Sequence, residues 1–524
     1  MRHQPRLPYI GLTIVLSNPS RNDKTELLTG IAGHYFQTQC LGETLSRHAC
    51  DIRTSDTIGS GLIPGTRGLL LLGDRAFREW SSSDYKDYSI NEQRGCPLLS
   101  KFTDVPAIAS YFPQDSLDII DHESRLNPQE RNANGPDDED DSSEEDEDDE
   151  GSAKKKGRTK RSNYRFWLKQ DTRKIIKGIR SEFHEYRSAL LPYEIKLGCS
   201  SEEYLNFLKS IQPNENLYVD IETTVDGGYN MLCIGVSTET SPVYVIPIFN
   251  YNRNLFYSRD ATARLLREIA LAMARCVTVM HNGYAFDLLV LAWRYGIGHG
   301  KQNYDTMIAG HRCFPEVEKS LGHMQSLWTW LPYHKDEGCF HPHSMDDQMR
   351  LWKYNAKDIH GMRIIKQSID KYAKTIPGLA ESITQGNGCV YPYTLASLSG
   401  IHYEEETLKS IIANNDRLMT QYLRWINLIK GKQYKERLLP TSSQSCVKFF
   451  HDYLNYAVVS RSRQISKKTG RPMNTPSLNE KALYKLKLKY PENILIDICI
   501  AYRRVKKETG MLGFESWDIK ALPV

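Results

Sequence analysis

Four carboxylates in this chain stand where they could share one metal centre. Asp220 and Glu222 lie in LYVDIETT at the end of an apolar run, Asp287 lies in HNGYAFDLLVL, and Asp358 lies in KYNAKDIHGM. Hard oxygen ligands suit Mg²⁺ or Mn²⁺ rather than Zn²⁺. Two such ions about 4 Å apart stabilise the attacking and the leaving oxygens of an in-line displacement. The four acids therefore predict metal-dependent cleavage of a phosphodiester.

The local patterns indicate which elements would position these side chains. The apolar run before Asp220 predicts a buried strand, and residues i and i+2 of a strand share a face, so Asp220 and Glu222 should point the same way. A second apolar run, CVTVM, precedes Asp287, which should therefore lie near a strand-to-helix junction. Tyr354 and Asp358 are four residues apart in a helical pattern and should lie on one helix face.

These strings resemble the three motifs of the DEDD exonuclease superfamily, in its tyrosine-bearing branch. The D-x-E motif corresponds to Asp220 and Glu222, N-x-x-x-[FY]-D to Asn282, Phe286 and Asp287, and Y-x-x-x-D to Tyr354 and Asp358. The intervening segment YDTMIAGHRCFPEVEKSLGHMQSLWT is similar to the proofreading domains of family A DNA polymerases. Three ordered motifs at about the right gaps are far more specific than D-x-E alone.

The resemblance implies an RNase H-like domain that removes nucleotides from a 3′ end with two Mg²⁺ or Mn²⁺ ions. It implies that Tyr354 orients the attacking water beside one metal, and that Asn282 contacts DNA. The implied catalytic residues are Asp220, Glu222, Asp287, Tyr354 and Asp358, and all of these except Tyr354 are the implied metal ligands.

The chain has 524 residues, which predicts about three or four domains. No apolar stretch approaches the roughly 20 residues of a membrane span, so we expect no membrane partner. The eleven cysteines contain no C-x-x-C pair and are expected to be reduced, as in a cytoplasm. Cys339, His341 and His343 are three metal-ligand types in one loop, and without a second cluster we interpret them as coincidence.

A charged segment divides the chain. Residues 137–150 carry 12 acids and no base. A basic run follows at once, in AKKKGRTKRSNYRFW. Such a block cannot bury enough apolar surface to fold, so we predict a disordered linker over 131–162. Its acidic half could mimic nucleic acid or bind a basic partner, but a solvated spacer is the simpler interpretation.

The segment before the linker alternates strand-like and helical patterns, which predicts a small α/β domain. Its order resembles the uracil-DNA glycosylase superfamily. The matching positions are Ser17, Asn18, Pro19 and Ser20 in the first loop, Gly73 and Ala76 in the second, and Ser110, Tyr111, Phe112 and Pro113 in the last. The first loop lacks the usual acid, with Asp23 further on, and Phe112 replaces the catalytic histidine. We therefore expect a glycosylase-like domain without glycosylase chemistry, used for DNA binding or docking; an unrelated α/β domain is the alternative.

The C-terminal part resembles the helical bridge and thumb of family A polymerases. Thr469, Gly470, Thr475, Asn479 and Leu483 approximate the thumb pattern T-G-x-x-[ST]-x-x-x-x-x-L. Residues 432–520 contain 18 Lys and Arg against 8 Asp and Glu, and Lys481, Lys485 and Lys489 recur every four residues. Such a stripe suits duplex phosphates, whereas the simpler interpretation is a solvated helix face. The predicted DNA-binding residues here are Lys467, Lys468, Arg471, Lys481, Lys485, Lys489, Arg503 and Arg504.

No palm or fingers motif of a family A polymerase occurs in the sequence. Three explanations are open: a polymerase split into two chains, a fragment, or a freestanding exonuclease with relic helices. The first is favoured, because a thumb has little use without a palm. It implies a partner chain that carries palm and fingers, a primer-template substrate with a single-stranded 3′ end, other replication proteins as further candidates, and a bacteriophage arrangement working in the host cytoplasm.

The resulting prediction is an α/β multidomain protein with a proofreading exonuclease as its enzyme. The alternative is a DNA-gripping scaffold or processivity subunit whose nuclease is incidental. The expected parts are a glycosylase-like domain (1–130), the linker (131–162), a connecting segment (163–205), the exonuclease (206–385), and the bridge with the thumb-like region (386–524).

Overall fold

The computed structural model describes most of the chain outside the predicted linker. The described residues are 2–3 (backbone only), 5, 7–18, 27–28, 30–42, 45–85, 87–102, 105–113, 164–224, 229–298, 300, 302–400, 404–461 and 475–512. They divide into two compact units, Met1–Ser399 and Gly400–Val524. Within the described residues, no helix has the length and apolarity needed to cross a membrane.

The first unit begins with a six-stranded sheet in the order β1-β3-β2-β4-β6-β5. The four inner strands are parallel, and the two edge strands pair antiparallel. The strands are β1 (Arg2–His3), β2 (Leu12–Leu16), β3 (Asp51–Thr54), β4 (Gly68–Leu72), β5 (Pro97–Leu99) and β6 (Pro106–Ser110). The inner strands β2, β4 and β6 are mostly apolar because both faces are covered, as is usual for parallel sheets, whereas β3 buries the ion pair of Asp51 and Arg53.

Helices cover the two faces of this sheet. They are α1 (Ile31–Tyr35), α2 (Asp74–Trp80), α3 (Ile90–Gln93), α4 (Tyr164–Arg180) and α5 (His184–Ala189). Helix α4 follows the linker and was expected only as a connecting segment, yet Leu168, Ile175 and Ile179 pack in the core with β2 and β4. Gly68 allows this contact, because a β-carbon there would lie 3.1–3.2 Å from Phe183, Ile175 and Ile179.

A second six-stranded sheet follows within the same unit, in the order β12-β11-β8-β9-β10-β7. Strand β8 runs parallel to β11 on one side and antiparallel to β9 on the other. The strands are β7 (Ile195–Leu197), β8 (Asn216–Thr223), β9 (Met231–Ser237), β10 (Val243–Pro247), β11 (Val277–Met280) and β12 (Asn303–Asp305). This mixed α/β region is the part expected to be RNase H-like.

Helices pack on both faces of the second sheet. They are α6 (Ser201–Ser210), α7 (Arg259–Arg275), α8 (Asp287–Tyr295), α9 (Thr306–Cys313), α10 (Leu321–Trp328), α11 (Met345–Ala373), α12 (Leu379–Gly388) and α13 (Val390–Ser399). Alternate residues of β8 face opposite sides: Leu217 and Val219 join the core that contains α6 and α7, whereas Tyr218 joins the core that contains α11. Asp220 and Glu222 share the parity of Tyr218 and so face α11.

A buried ion pair links the two sheets of the first unit. Arg94, which follows α3, donates to Asp171 of α4 at 3.0 Å and to Ser326 Oγ of α10 at 2.8 Å. Its guanidinium lies over the Trp167 ring, 3.5 Å from the centroid. Removing either partner would leave a buried charge uncompensated, which typically costs about 3–5 kcal/mol.

The second unit is helical, with α14 (Glu405–Ile429), α15 (Ser443–Val447), α16 (Glu480–Lys489) and α17 (Ile494–Leu512). Its apolar core includes Ile426 of α14, Leu483 of α16 and Ile496 of α17. Of the thumb pattern, Thr469 and Gly470 lie outside the described residues, whereas Thr475, Asn479 and Leu483 lie within them.

Candidate active site

Strand β8 and helix α11 bring three of the predicted carboxylates together. Within the described residues, Asp220, Glu222 and Asp358 form a group in which one carboxylate oxygen from each lies within 4.8 Å of the others. Glu222 and Asp358 are buried, and Asp220 is partly exposed. The i, i+2 spacing on β8 and the facing helix therefore produce the arrangement that the sequence predicts.

Asp287 lies beside this group, at the start of helix α8. It is 5% exposed, and its Oδ1 accepts a hydrogen bond from the Ile221 backbone N–H at 3.1 Å. Because β11 is parallel to β8, the loop that carries Asp287 leaves the sheet at the same edge where Asp220 and Glu222 lie. The predicted strand-to-helix junction is present, with α8 beginning at Asp287.

A close contact between β9 and α11 fixes the helix over the strand. Asn355, next to Tyr354, donates its side-chain N–H to Asp220 Oδ2 at 2.7 Å. A β-carbon on Gly235 would lie 2.2 Å from Asn355 Oδ1, so only glycine leaves room for this amide. Asn355 thus orients the first metal-ligand candidate, a role that the sequence motifs do not reveal.

The crowded acids perturb one another. Burial, together with the charges of Asp287 and Asp358, raises the pKa of Asp220 well above its ordinary value. Burial and Asp358 raise the pKa of Glu222 to about 8, and burial raises the pKa of Asp287 to about 7. These three carboxyls lack enough positive charge nearby, which is the condition that a bound divalent cation would relieve.

Asp358 is the exception, because two basic side chains reach it. Lys335 Nζ lies 2.6 and 2.7 Å from its two carboxylate oxygens, and His334 Nε2 lies 2.8 Å from Oδ1. Burial alone would raise the pKa of Asp358, but Lys335 and His334 hold it below its ordinary value. Lys335 also donates to the Tyr354 hydroxyl at 2.9 Å.

Sequence reasoning missed Lys335 and His334. Both lie in an irregular segment between α10 and α11, in the string LPYHKDEG, where no periodicity indicates a direction for either side chain. The sequence offered one indication, a basic residue between the second and third motifs. Other lysines also lie in that interval, so it does not single out Lys335.

Asn282 lies in the turn before α8, at a left-handed φ of +59°. Its backbone N–H donates to Asp305 Oδ1 at 3.0 Å, and the Gly283 N–H donates to Oδ2 at 2.8 Å. Asp305, at the end of β12, therefore holds the turn that presents Asp287. The predicted DNA contact of the Asn282 side chain stays a prediction.

The predicted DNA-binding residues of the second unit differ in exposure. Lys481, Lys485 and Lys489 are exposed along α16, and Arg504 is exposed on α17. Lys467, Lys468 and Arg471 lie outside the described residues.

Arg503 requires a correction. It is 8% exposed, its guanidinium donates to the Pro440 carbonyl, and it approaches Cys446 Sγ at 3.6 Å. The side chain is used inside the helical core and does not face DNA. Adjacent helix residues point about 100° apart, so Arg503 and Arg504 cannot share a face.

The three loops matched to glycosylase motifs meet at the carboxyl edge of the first sheet. Ser17 Oγ accepts a hydrogen bond from the Ala76 N–H at 3.0 Å, and the Gly73 N–H donates to the Ser110 carbonyl at 2.9 Å. A β-carbon on Gly73 would lie 2.5 Å from Ser17 Oγ and 3.4 Å from the Phe112 β-carbon. Ser17 and Phe112 therefore fill the space beside Gly73 where these loops converge, and Ser110 Oγ donates to the buried Asp171 at 2.6 Å.

Comparisons with known proteins add likeness in fold only. No protein-family model matches the chain, and no curated protein matches its sequence. The POL domain of Pol1 from M. smegmatis, in complex with DNA primer-template and dNTP, is 12% identical with a TM-score of 0.39, and the match covers 60% of this chain and 49% of that one.

Two further structures overlap with a smaller part of the chain. Trypanosoma brucei RNase D in complex with RNA U12 is 13% identical with a TM-score of 0.29, covering 35% of this chain and 64% of that one. Brucella melitensis NrnC is 16% identical with a TM-score of 0.29, covering 36% and 87%. The chain thus spans about half of the polymerase chain and just under two thirds of the RNase D chain. Because these TM-scores are low, the function has to be inferred from the geometry of the site.

Proposed function

We propose that this chain is a metal-dependent 3′–5′ exonuclease that acts on DNA. The observation that carries the proposal is the cluster of Asp220, Glu222 and Asp358, whose oxygens lie within 4.8 Å of one another, with Asp287 beside it. Buried carboxylates this close repel one another, and bound divalent cations would relieve that repulsion. The direction of digestion comes from the motif resemblance.

The donor set fits Mg²⁺ or Mn²⁺, because every ligand candidate is a carboxylate oxygen and three of the four carboxyls have raised pKa values. Asp220, Glu222, Asp287 and Asp358 would hold the ions. When bound, the ions would supply Lewis-acid charge to the scissile phosphate and to the water that attacks it.

Tyr354 is a hydrogen-bond donor and not a base in this site. Burial raises the pKa of its hydroxyl far above the ordinary value, so the phenol stays protonated at neutral pH. Lys335 donates to the phenolic oxygen at 2.9 Å, and the phenolic proton therefore points to another acceptor. In the structure Asp358 is one such acceptor; in the substrate complex we propose the attacking water or a phosphate oxygen, which gives Tyr354 an orienting role.

Lys335 brings a positive charge to the edge of the cluster. Its ammonium contacts both oxygens of Asp358 and the hydroxyl of Tyr354. When the carboxylates are neutralised by cations, this ammonium is available to attract a phosphate of the substrate.

A direct test uses 5′-labelled single-stranded DNA with Mg²⁺ or Mn²⁺. We expect a ladder that shortens from the 3′ end and nucleoside monophosphates as products, both lost with EDTA. Asp220→Asn should be inactive, whereas Glu381→Gln, an exposed acid on α12, should digest at the wild-type rate. A wild-type chain that binds metal and leaves every 3′ end intact would refute the proposal.

We also propose the finer role of a proofreading subunit for a separate polymerase chain that carries palm and fingers. The thumb resemblance and the exposed lysines at 481, 485 and 489 support it. Mixed with that partner and a primed template, the chain should support synthesis and excise a mismatched 3′ end, in the cytoplasm of its host. If no palm-bearing chain co-purifies from the native source, and the second unit is dispensable for digestion, a freestanding exonuclease is the better description.

For the first sheet we propose a glycosylase-like docking module without base-excision chemistry. The convergence of Ser17, Gly73 and Phe112 supports this, and the buried Asp171 carboxylate that accepts a hydrogen bond from Ser110 is paired with Arg94. The full chain should release no uracil from DNA. Uracil release that disappears in Asn18→Ala would show that the module is an enzyme.

A further inference from the structure

A basic recess lies on the first sheet domain, built by helix α4 and the segment that follows α1. Its volume is about 570 Å³, and it opens to solvent. Four cations of α4 line it: Lys169, Arg173, Lys177 and Arg180. The opposite wall is formed by Thr38–Gly42 and Leu45. Among the described residues that line the recess there is no acid.

Within the described residues, most of this charge has no acid to neutralise it. Lys177 pairs with Glu185 at 2.8 Å, an exposed ion pair of small energetic weight. In the described part of the chain, Lys169, Arg173 and Arg180 have no ion pair. Both Lys169 and Arg173 act on the buried Cys40 thiol in the wall, opposing the effect of burial, which raises its pKa to about 12. The cations therefore focus a positive field into the recess.

The other face of α4 explains why the charges stay on the surface. Leu168, Ile175 and Ile179 bury the helix against the first sheet, and Trp167 is buried in a separate cluster with Tyr111. The amphipathic helix is thus anchored, and its basic stripe is held rigidly instead of on a mobile segment. A rigid array loses less side-chain and backbone freedom on binding than a flexible basic run.

The spacing of the cations indicates a nucleic-acid strand as the ligand and not a single phosphate ion. From Lys169 to Arg180 the helix rises about 16 Å, at 1.5 Å per residue. The cations do not converge on one point, as they would around a single phosphate. A nucleic-acid strand offers a phosphate at about every 3.4 Å along a duplex, so several of its phosphates can meet such a stripe. Arg173 and Arg180 also present planar donors that match phosphate oxygens.

We propose that this basic recess is a second nucleic-acid contact site, which binds the phosphate backbone of the substrate strand away from the carboxylate cluster. The inference rests on the proposed function only in naming nucleic acid as the polyanion. The exposed Gln39 on the opposite wall offers an amide to a sugar or a base edge. Binding through the recess is independent of sequence, because phosphates carry the contact.

The test measures binding of fluorescein-labelled oligo(dT) to the full chain by anisotropy in EDTA, over a series of salt concentrations. The paired variant Lys169→Gln/Arg173→Gln should bind about tenfold more weakly and reduce the slope of log affinity against log salt by about 1.4, the value for two single-strand phosphate contacts. The charge-preserving variant Lys169→Arg/Arg173→Lys should restore most of the affinity.

A matched control removes the same charge from another surface. Lys209 of α6 and Arg267 of α7 are both exposed, and Lys209→Gln/Arg267→Gln should bind DNA like the wild type. Equal losses in the two paired variants would reduce the effect to net charge and would overturn the proposal. So would wild-type affinity and salt slope in the recess variant.

Two competitors distinguish DNA from an acidic protein and from free phosphate as the ligand of the recess. Poly-glutamate at equal charge should displace the oligonucleotide poorly, and inorganic phosphate at millimolar concentration should not displace it. If poly-glutamate bound the wild type more tightly than DNA and lost that affinity in the recess variant, the site would be a docking surface for an acidic protein and the proposal would fail. Binding is measured in EDTA, so it does not depend on nuclease activity. A chain that binds DNA through the recess but digests no DNA with Mg²⁺ or Mn²⁺ would contradict the proposed function and leave the recess proposal standing.

Discussion

The two sheets of the first unit share an architecture and differ in the side chains at one edge. Each has six strands and contains a run of adjacent parallel strands, β3-β2-β4-β6 in the first and β8-β11-β12 in the second, and each sends loops from the carboxyl ends of those strands to a common crevice. In the second sheet that crevice collects carboxylates from β8, α8 and α11. In the first it collects Ser17, Gly73 and Phe112, which fill the space.

The difference between the two edges shows that strand direction alone does not make a reactive site. Both crevices are products of strand direction, because parallel strands end at the same edge. A reactive centre requires in addition that the loops leave charge uncompensated. The raised pKa values of Glu222 and Asp287 mark such a centre. At the first edge the Ser17 hydroxyl accepts from the Ala76 N–H, and Asp171, whose pKa burial also raises, is compensated by Arg94.

The largest expected effect follows from removing charge at the reactive edge. Asp220→Asn should lower the exonuclease rate by several orders of magnitude, because a metal-ligand candidate loses its charge while the hydrogen bond from Asn355 is lost or weakened. The measurement is single-turnover digestion of 5′-labelled DNA with saturating Mn²⁺.

The matched change at the other edge is Ser17→Ala. It leaves the Ala76 N–H unpaired and should cost about 1–3 kcal/mol in unfolding, while the digestion rate stays at the wild-type value. A slower nuclease in this variant, at a temperature where it is fully folded, would show that the two edges act as one site.

The features that could be predicted from the sequence are those whose residues lie within one strand or one helix. The two-residue spacing of Asp220 and Glu222 follows the period of a strand, and the four-residue spacing of Tyr354 and Asp358 follows that of a helix. The structure places the first pair on β8 and the second on α11. Asn355 adjoins a recognised motif, but its contact with Asp220 depends on Gly235 of another strand. Only the assembled sheet shows that contact.

Other features could not be derived from local pattern. Helix α4 lies beyond a long charged segment, and nothing near it in sequence indicates that Ile175 and Ile179 complete the first core. Lys335 reaches Asp358 from an irregular segment. Arg503 was grouped with Arg504 by composition, although their directions on the helix differ and one of them is buried.

A variant of Lys335 tests whether this lysine acts through its positive charge or by holding the metal-ligand candidates in place. Lys335→Met should slow digestion about 10–100-fold, since Asp358 and Tyr354 both lose the hydrogen bonds that Lys335 donates, and only His334 still reaches Asp358. It should also tighten binding of Mn²⁺ in the absence of DNA, because a competing cation leaves Asp358. Calorimetry with Mn²⁺ measures this second effect.

The control is Lys357→Met, on the same helix as Asp358 and paired with the exposed Glu337. It should change neither the rate nor the affinity for Mn²⁺. Weaker metal binding in Lys335→Met would mean that the lysine supports the ligand geometry and does not compete with the ion.

A smaller loss is expected from Tyr354→Phe. The ring still packs against Phe340, with centroids 5.4 Å apart, so the helix face should be preserved. Only the orienting hydroxyl is lost, and we expect about a tenfold lower rate with unchanged affinity for Mn²⁺. Because the phenol stays protonated, the pH profile of the rate should keep its shape. A profile that loses a basic limb in the variant would make Tyr354 a titrating group instead.

The smallest effect is on stability, and it appears only without metal. Glu222 has a pKa of about 8 and Asp287 a pKa of about 7 in the folded chain, both above their ordinary values. Between pH 5 and 8 the folded state therefore binds more protons than the unfolded state, so the free energy of unfolding falls as pH rises through this window.

In EDTA, the melting temperature of the first unit should fall by several degrees from about pH 5 to about pH 8. Glu222→Gln should flatten the curve, because the glutamine has no proton to lose, whereas Glu381→Gln should follow the wild type. Saturating Mg²⁺ should raise the melting temperature most at the upper end of the window, where the acids are ionised. The lowered pKa of Asp358 acts only at more acidic pH and does not oppose this trend. A melting temperature that is flat across the window in EDTA would mean that the carboxyls are already compensated without metal, and the contrast between the two edges would then lose its electrostatic basis.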